Sequence, residues 1–123
     1  MRQIYLDHAA ASPVDPAVAR VVVRGIQIVG NPSSFNDAGR LAATELSEAR
    51  QTVARFLNAR SDEIIFTASG SESNSLAILG SVNASGISRG EVVSQPTEHL
   101  SVLESINRLK KNSYRIKMAS VDD

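Results

Sequence analysis

Ser69-Gly70-Ser71 separates the apolar run Ile64-Ile65-Phe66 from Glu72-Ser73-Asn74, where a helical pattern begins. A helix start offers unpaired backbone N–H groups and the positive end of a dipole. Gly70 lets backbone approach a ligand closely, and Ser69 and Ser71 add hydroxyl donors. That set suits a phosphate group. A Ser-Gly-Ser sequence after a strand also serves as a plain turn, and this segment alone leaves both readings open. His99, two residues after Thr97, stands at another helix start, where its position reads as a capping or partly buried histidine. His8 can hydrogen-bond within an N-terminal arm or serve a substrate. Asn31, before Pro32, makes a good turn residue without any function.

The elements that hold these residues follow from periodicity. Ile4 to Leu6 reads as a short strand or extended arm. Asp15-Pro16 starts a helix, with Asp as cap and Pro in the first turn. That helix is expected over Ala17 to Val29 and ends at Gly30; Val21-Val22-Val23 leaves a strand as the alternative. Asn31 to Asp37 is a loop. Ala42, Leu46, Ala49, Val53 and Phe56 recur at steps of four and three, forming one apolar helical stripe. A strand is expected over Glu63 to Thr67, a helix over Glu72 to Val82, and a flexible connector over Asn83 to Gly90. A strand over Glu91 to Ser94 and an amphipathic helix over His99 to Lys111 come next. Tyr114, Ile116 and Met118 alternate with Arg115, Lys117 and Ala119, giving a third strand.

The second half thus reads strand-helix-strand-helix-strand. Parallel strands with right-handed crossovers and α/β architecture are the expectation, with N-terminal helices ahead of them. Residues 1–60 form the N-terminal arm and helices, and 61–123 the first part of an α/β domain.

Composition narrows the function classes. Thirteen basic side chains balance thirteen acidic ones, so no charge surplus points to nucleic acid or an anionic membrane. Tryptophan is absent and aromatics are few, which argues against stacking on bases. With no cysteine there is no disulfide framework and no thiolate zinc site, and two histidines make no metal cluster. No apolar run approaches the roughly 20 residues of a membrane span. No signal-peptide pattern is visible, so the expected compartment is the cytoplasm.

Four ordered segments carry a family resemblance: Tyr5-Leu6-Asp7-His8-Ala9-Ala10, Gly30-Asn31-Pro32-Ser33-Ser34 with Gly39-Arg40, the Ser69-Gly70-Ser71 turn, and Thr97-Glu98-His99. Together they resemble the N-terminal third of the cysteine desulfurases, class V aminotransferase-like enzymes that depend on pyridoxal 5'-phosphate (PLP). The resemblance implies a partial PLP-dependent transferase-like fold, with 61–123 as the start of the PLP-binding large domain. It implies that Gly70 and Ser71 hold the PLP phosphate and that His99 stacks on the PLP ring and helps move protons. It sets His8 and Asn31 near the substrate entrance. Cysteine is the implied substrate and alanine plus an enzyme persulfide the implied products, supplying sulfur for iron–sulfur clusters or thiolated products; selenocysteine lyase and related class V enzymes are the alternatives within the family.

The chain departs from the family in informative ways. Asn36 stands where a histidine is common, Ala11 and Ser12 where threonines are frequent, and Ser71 where threonine is frequent. Ser71 keeps the hydroxyl. The family needs a Schiff-base lysine, an aspartate paired with the pyridine nitrogen, and a sulfur-accepting cysteine. Lys110 and Lys111 read instead as a helix end and Lys117 as the wet face of a strand; there is no cysteine. PLP is therefore not expected to be bound covalently by this chain, and these 123 residues alone are not expected to desulfurate cysteine. The strands matching 63–67 and 91–94 are not neighbours in the family's sheet. Unpaired edges are then expected to drive association into a homo-oligomer or with a complementing chain. A non-catalytic phosphate- or PLP-binding module and an inert remnant are the alternatives.

Overall fold

The computed structural model describes residues 4–121, which divide into two compact units meeting at Ile64 and Ile65. The first unit carries α1 (Pro16–Ile26), α2 (Asp37–Phe56) and a 3₁₀ turn (Ser61–Glu63). The second carries α3 (Gly70–Ala84), β1 (Glu91–Ser94), α4 (Leu100–Lys111) and β2 (Arg115–Met118).

In the first unit, residues 4–6 form no strand. The Tyr5 hydroxyl donates toward the carbonyls of Asp7 (2.8 Å) and Ala11 (2.9 Å), folding the arm on itself. Asp15 caps α1 by accepting from the Ala17 amide at 2.6 Å, and Pro16 fills the first turn. The valine run is helical, but the helix stops at Ile26 rather than Val29. Gln27 and Ile28 donate back three residues, to Arg24 and Gly25, so the last turn tightens and closes early. Gly30 is consequently not the cap; a Cβ there would collide with the Ala38 carbonyl, so the glycine permits close approach of the loop to α2.

Asn36 caps α2 through its side-chain oxygen, which accepts from the Gly39 amide at 2.8 Å. The apolar stripe of α2 is covered unevenly. Gly39, Ala42 and Ala54 are buried, Leu46 and Val53 keep a little over a third of their surface exposed, and Phe56 is 89% exposed. Phe56 closes the helix, and the chain reverses through Asn58 at φ 52°. α2 instead packs on the 3₁₀ turn, with the Arg50 Nε donating to the Ile64 carbonyl at 3.2 Å.

The expected strand at 63–67 is not formed. Glu63 closes the 3₁₀ turn, and Ile64 to Thr67 join no ladder among the described residues. Ile64 keeps extended dihedrals (φ −93°, ψ 121°), so the local preference survives without a ladder among the described residues.

The second unit is a β1–α4–β2 element with α3 packed on α4. β1 and β2 pair in parallel, Glu91 beside Arg115 through Ser94 beside Met118, as α/β architecture requires. The Arg115 Nε and a Glu91 carboxylate oxygen stand 2.6 Å apart at the start of the ladder. Ile106 and Leu109 of α4 are the buried apolar side chains here, with Ser105 buried beside them. α3 is longer than expected at both ends. It begins at Gly70 and absorbs Asn83 and Ala84 from the expected connector.

Candidate functional site

The turn before α3 is a capping box. The Ser69 Oγ accepts from the Glu72 amide at 3.2 Å, and the Glu72 carboxylate accepts from the Ala68 amide at 2.7 Å. The Thr67 hydroxyl is 2.6 Å from that of Ser73 and donates to the Ser69 carbonyl at 3.1 Å. Ser69 is thus occupied as a cap. Ser71 is different: it is exposed, and its hydroxyl makes no hydrogen bond among the described residues. Gly70 is helical rather than left-handed, and a Cβ on it would meet nothing within 4 Å. The fold itself therefore does not demand glycine at 70. What glycine leaves is open space over the first turn of α3.

His99 caps α4. Its Nδ1 accepts from the Ser101 amide at 3.1 Å and lies 2.8 Å from the Ser101 hydroxyl. The ring is exposed. The capping role read from its position is therefore real, and it occupies only one of the two ring nitrogens. α3 and α4 pack along a polar seam: Asn74 Nδ2 donates to Ser101 Oγ at 2.9 Å, and the Ser75 and Ser105 hydroxyls meet at 3.2 Å. A groove of about 290 Å³ opens on this seam, lined among others by Ser71, Ser75, His99, Ser101 and Arg108. It brings two of the expected site residues, Ser71 and His99, to one place, with Gly70 adjacent in sequence to Ser71.

His8 and Asn31 belong to the first unit. His8 follows Asp7 in a short turn and stacks edge-on against Tyr5, with ring centroids 5.2 Å apart. Asn31 accepts from the Ser33 amide at 2.9 Å through its side chain and from the Ser34 amide at 2.9 Å through its carbonyl. Both are engaged locally, as a turn reading anticipates. Among the described residues no cluster of histidine, aspartate and glutamate could hold a metal ion. No helix of the described residues is long and apolar enough to cross a membrane.

Asn74 and Ser101 are the residues that reading the sequence missed. Their signal is faint. Asn74 lies one turn beyond Ser71 on α3, and Ser101 lies two residues beyond a capping histidine.

The profile of the class V aminotransferases matches residues 4–123. The chain belongs to the aminotransferase class V family. A cysteine desulfurase, IscS, of Dictyoglomus turgidum is 38% identical over 122 residues, which cover 98% of this chain and 31% of the relative. An IscS-like cysteine desulfurase of Mycobacterium tuberculosis is 41% identical over 108 residues, 85% of this chain and 28% of its own length. Among solved structures, a NifS-like protein superposes with a TM-score of 0.85 at 28% identity, covering 98% of this chain and 34% of that one. A structure described as SspA in complex with cysteine gives a TM-score of 0.82 at 29% identity, covering 94% and 34%. The chain spans about a third of the length of these class V relatives, and its fold is correspondingly partial.

Class V members of this kind use PLP. The donor set around Ser71 fits a phosphoryl group: an uncommitted hydroxyl on the first turn of a 15-residue helix, next to a glycine with free space above it. Glu72 is turned back onto the Ala68 amide, so its charge is already hydrogen-bonded within the turn.

Proposed function

We propose that this chain is the N-terminal part of a PLP-dependent cysteine desulfurase, with residues 1–60 as arm and helices and 61–123 as the first part of the PLP-binding large domain. The observation that carries the reading is the shared groove of Ser71 and His99. Gly70 and Ser71 hold the cofactor phosphate, through backbone N–H groups and the Ser71 hydroxyl. His99 lies against the cofactor ring and carries a proton at Nε2, the nitrogen its cap leaves over. His8 and Asn31 serve the substrate side. Bound PLP supplies an electron sink for the substrate amino acid. The overall reaction takes cysteine and an enzyme thiol to alanine and an enzyme persulfide, in the cytoplasm.

The 123 residues contain no thiol, and Lys110, Lys111 and Lys117 lie in the last turn of α4 and on β2. The chain by itself therefore binds PLP non-covalently and does not turn over cysteine. Leu6, Phe35 and Phe56 are each almost fully exposed, which supports a second copy or a complementing chain as partner.

PLP titration of the chain, followed by the cofactor's absorbance, tests the phosphate site. Ser71→Ala removes one hydrogen bond to a charged group, roughly 1.5–3 kcal/mol, so Kd rises about ten- to a hundredfold. An unchanged Kd removes Ser71 from the phosphate. The second reading, a non-catalytic binding or interaction module or an inert remnant, draws on the local engagement of Asn31 and His99 as turn and cap. Equilibrium dialysis that retains no PLP at millimolar ligand favours the remnant.

A further inference from the structure

The hydrogen bonds around His99 have a direction. A backbone amide can only donate, so the Ser101 N–H at 3.1 Å requires a lone pair on Nδ1. The Ser101 hydroxyl, 2.8 Å from the same nitrogen, must then donate to it as well. A hydroxyl has one proton. Once that proton points at Nδ1, the oxygen can only accept from its remaining neighbour, and the Asn74 Nδ2 stands 2.9 Å away as donor. The same polarity runs behind it. The buried Ser105 hydroxyl donates to the Ser101 carbonyl at 2.8 Å, so Ser75 donates to Ser105 at 3.2 Å. The three hydroxyl protons of this seam each have a consistent place, and no donor faces a donor.

We propose that Asn74 and Ser101 are positioning residues for His99: the relay Asn74 to Ser101 to Nδ1 fixes the neutral ring as the Nε2–H tautomer and pins Nδ1 to α4. The groove that His99 shares with Ser71 then meets a histidine with one defined proton-bearing nitrogen. Asn74 does this from α3, the helix whose first turn carries Ser71, so the phosphate-type turn and the histidine are oriented by one seam. The functional meaning rests on the proton-moving role proposed for His99; the tautomer assignment does not.

The test is ¹⁵N–¹H multiple-bond NMR of the full chain at a pH where the ring is neutral. The chain has two histidines, and a His8→Gln variant assigns the signals. The wild type is expected to show Nε2–H at His99. Asn74→Asp keeps the side-chain shape but replaces the donor by an acceptor, so Ser101 turns its proton away from Nδ1. The ratio of Nε2–H to Nδ1–H falls by about three- to tenfold, the weight of one hydrogen bond. Ser101→Ala gives a similar fall, and Ser101→Thr restores the wild-type ratio. An Nδ1–H wild type, or an unchanged ratio in both Asn74→Asp and Ser101→Ala, overturns the relay. Circular dichroism of each variant shows that the helices persist. PLP titration with Ser71→Ala reads the proposed function separately, so a failed phosphate site leaves the tautomer result intact and a failed relay leaves the phosphate result intact.

Discussion

The two units use the same kinds of residue for opposite ends. In the first, the suggestive residues are absorbed by local structure. Asn31 closes a turn, Asn36 caps α2, and Gly30 and Gly39 are needed because Cβ atoms there would strike backbone oxygens. In the second, Gly70 has open space above it and Ser71 has no partner among the described residues. A glycine required by packing says little about ligands. A glycine that packing does not require, beside an idle hydroxyl on a helix start, points outward.

The largest expected effect tests whether the second unit has a core of its own. Leu109 is 2% exposed on α4, and Leu109→Ala is expected to cost about 2–5 kcal/mol, read as a lower midpoint in urea. A loss below half a kcal/mol would mean that the second unit gains little from burying Leu109. Next comes the contrast between glycines. Gly39→Ala drives a Cβ into the carbonyls of Ser34 and Asn31, costing about 1–3 kcal/mol. Gly70→Ala meets nothing and is expected to be neutral or slightly stabilising, since alanine suits a helix better. Equal melting temperatures for the two variants would erase the distinction on which the comparison stands.

Much of this was legible in the sequence because the signals are local. Asp15-Pro16 starts α1, β1 falls on Glu91 to Ser94, and α4 ends at Lys111, each fixed by caps or period within a few residues. Two limits have physical causes. The apolar run at 64–66 carries strand preference, but a strand exists only when a neighbour completes its hydrogen bonds, and the window cannot supply one. The stripe through Ala42, Leu46, Ala49, Val53 and Phe56 told which face of α2 is apolar, but periodicity does not tell what covers that face, and Phe56 at its end is exposed. At the candidate site, Ser71 and His99 were visible as helix-start residues. Asn74 and Ser101 were not, because their relation spans 27 residues and arises only when α3 packs on α4.

The smallest expected effect probes an ion pair between the first unit's two helices. Arg24 on α1 donates to both carboxylate oxygens of Glu45 on α2, at 2.9 and 3.1 Å. Arg24 is 70% exposed, so water and salt screen the pair heavily. α1 buries no residue of its own, and Arg24 reaches α2 from that exposed helix. A double-mutant cycle with Arg24→Gln and Glu45→Gln is expected to give a coupling of about 0.2–1 kcal/mol at low salt, fading as salt shortens the screening length. A coupling that survives 1 M salt would mean that the pair is desolvated by something covering α1. That outcome would turn the exposed valines of this helix from a solvent face into a contact face.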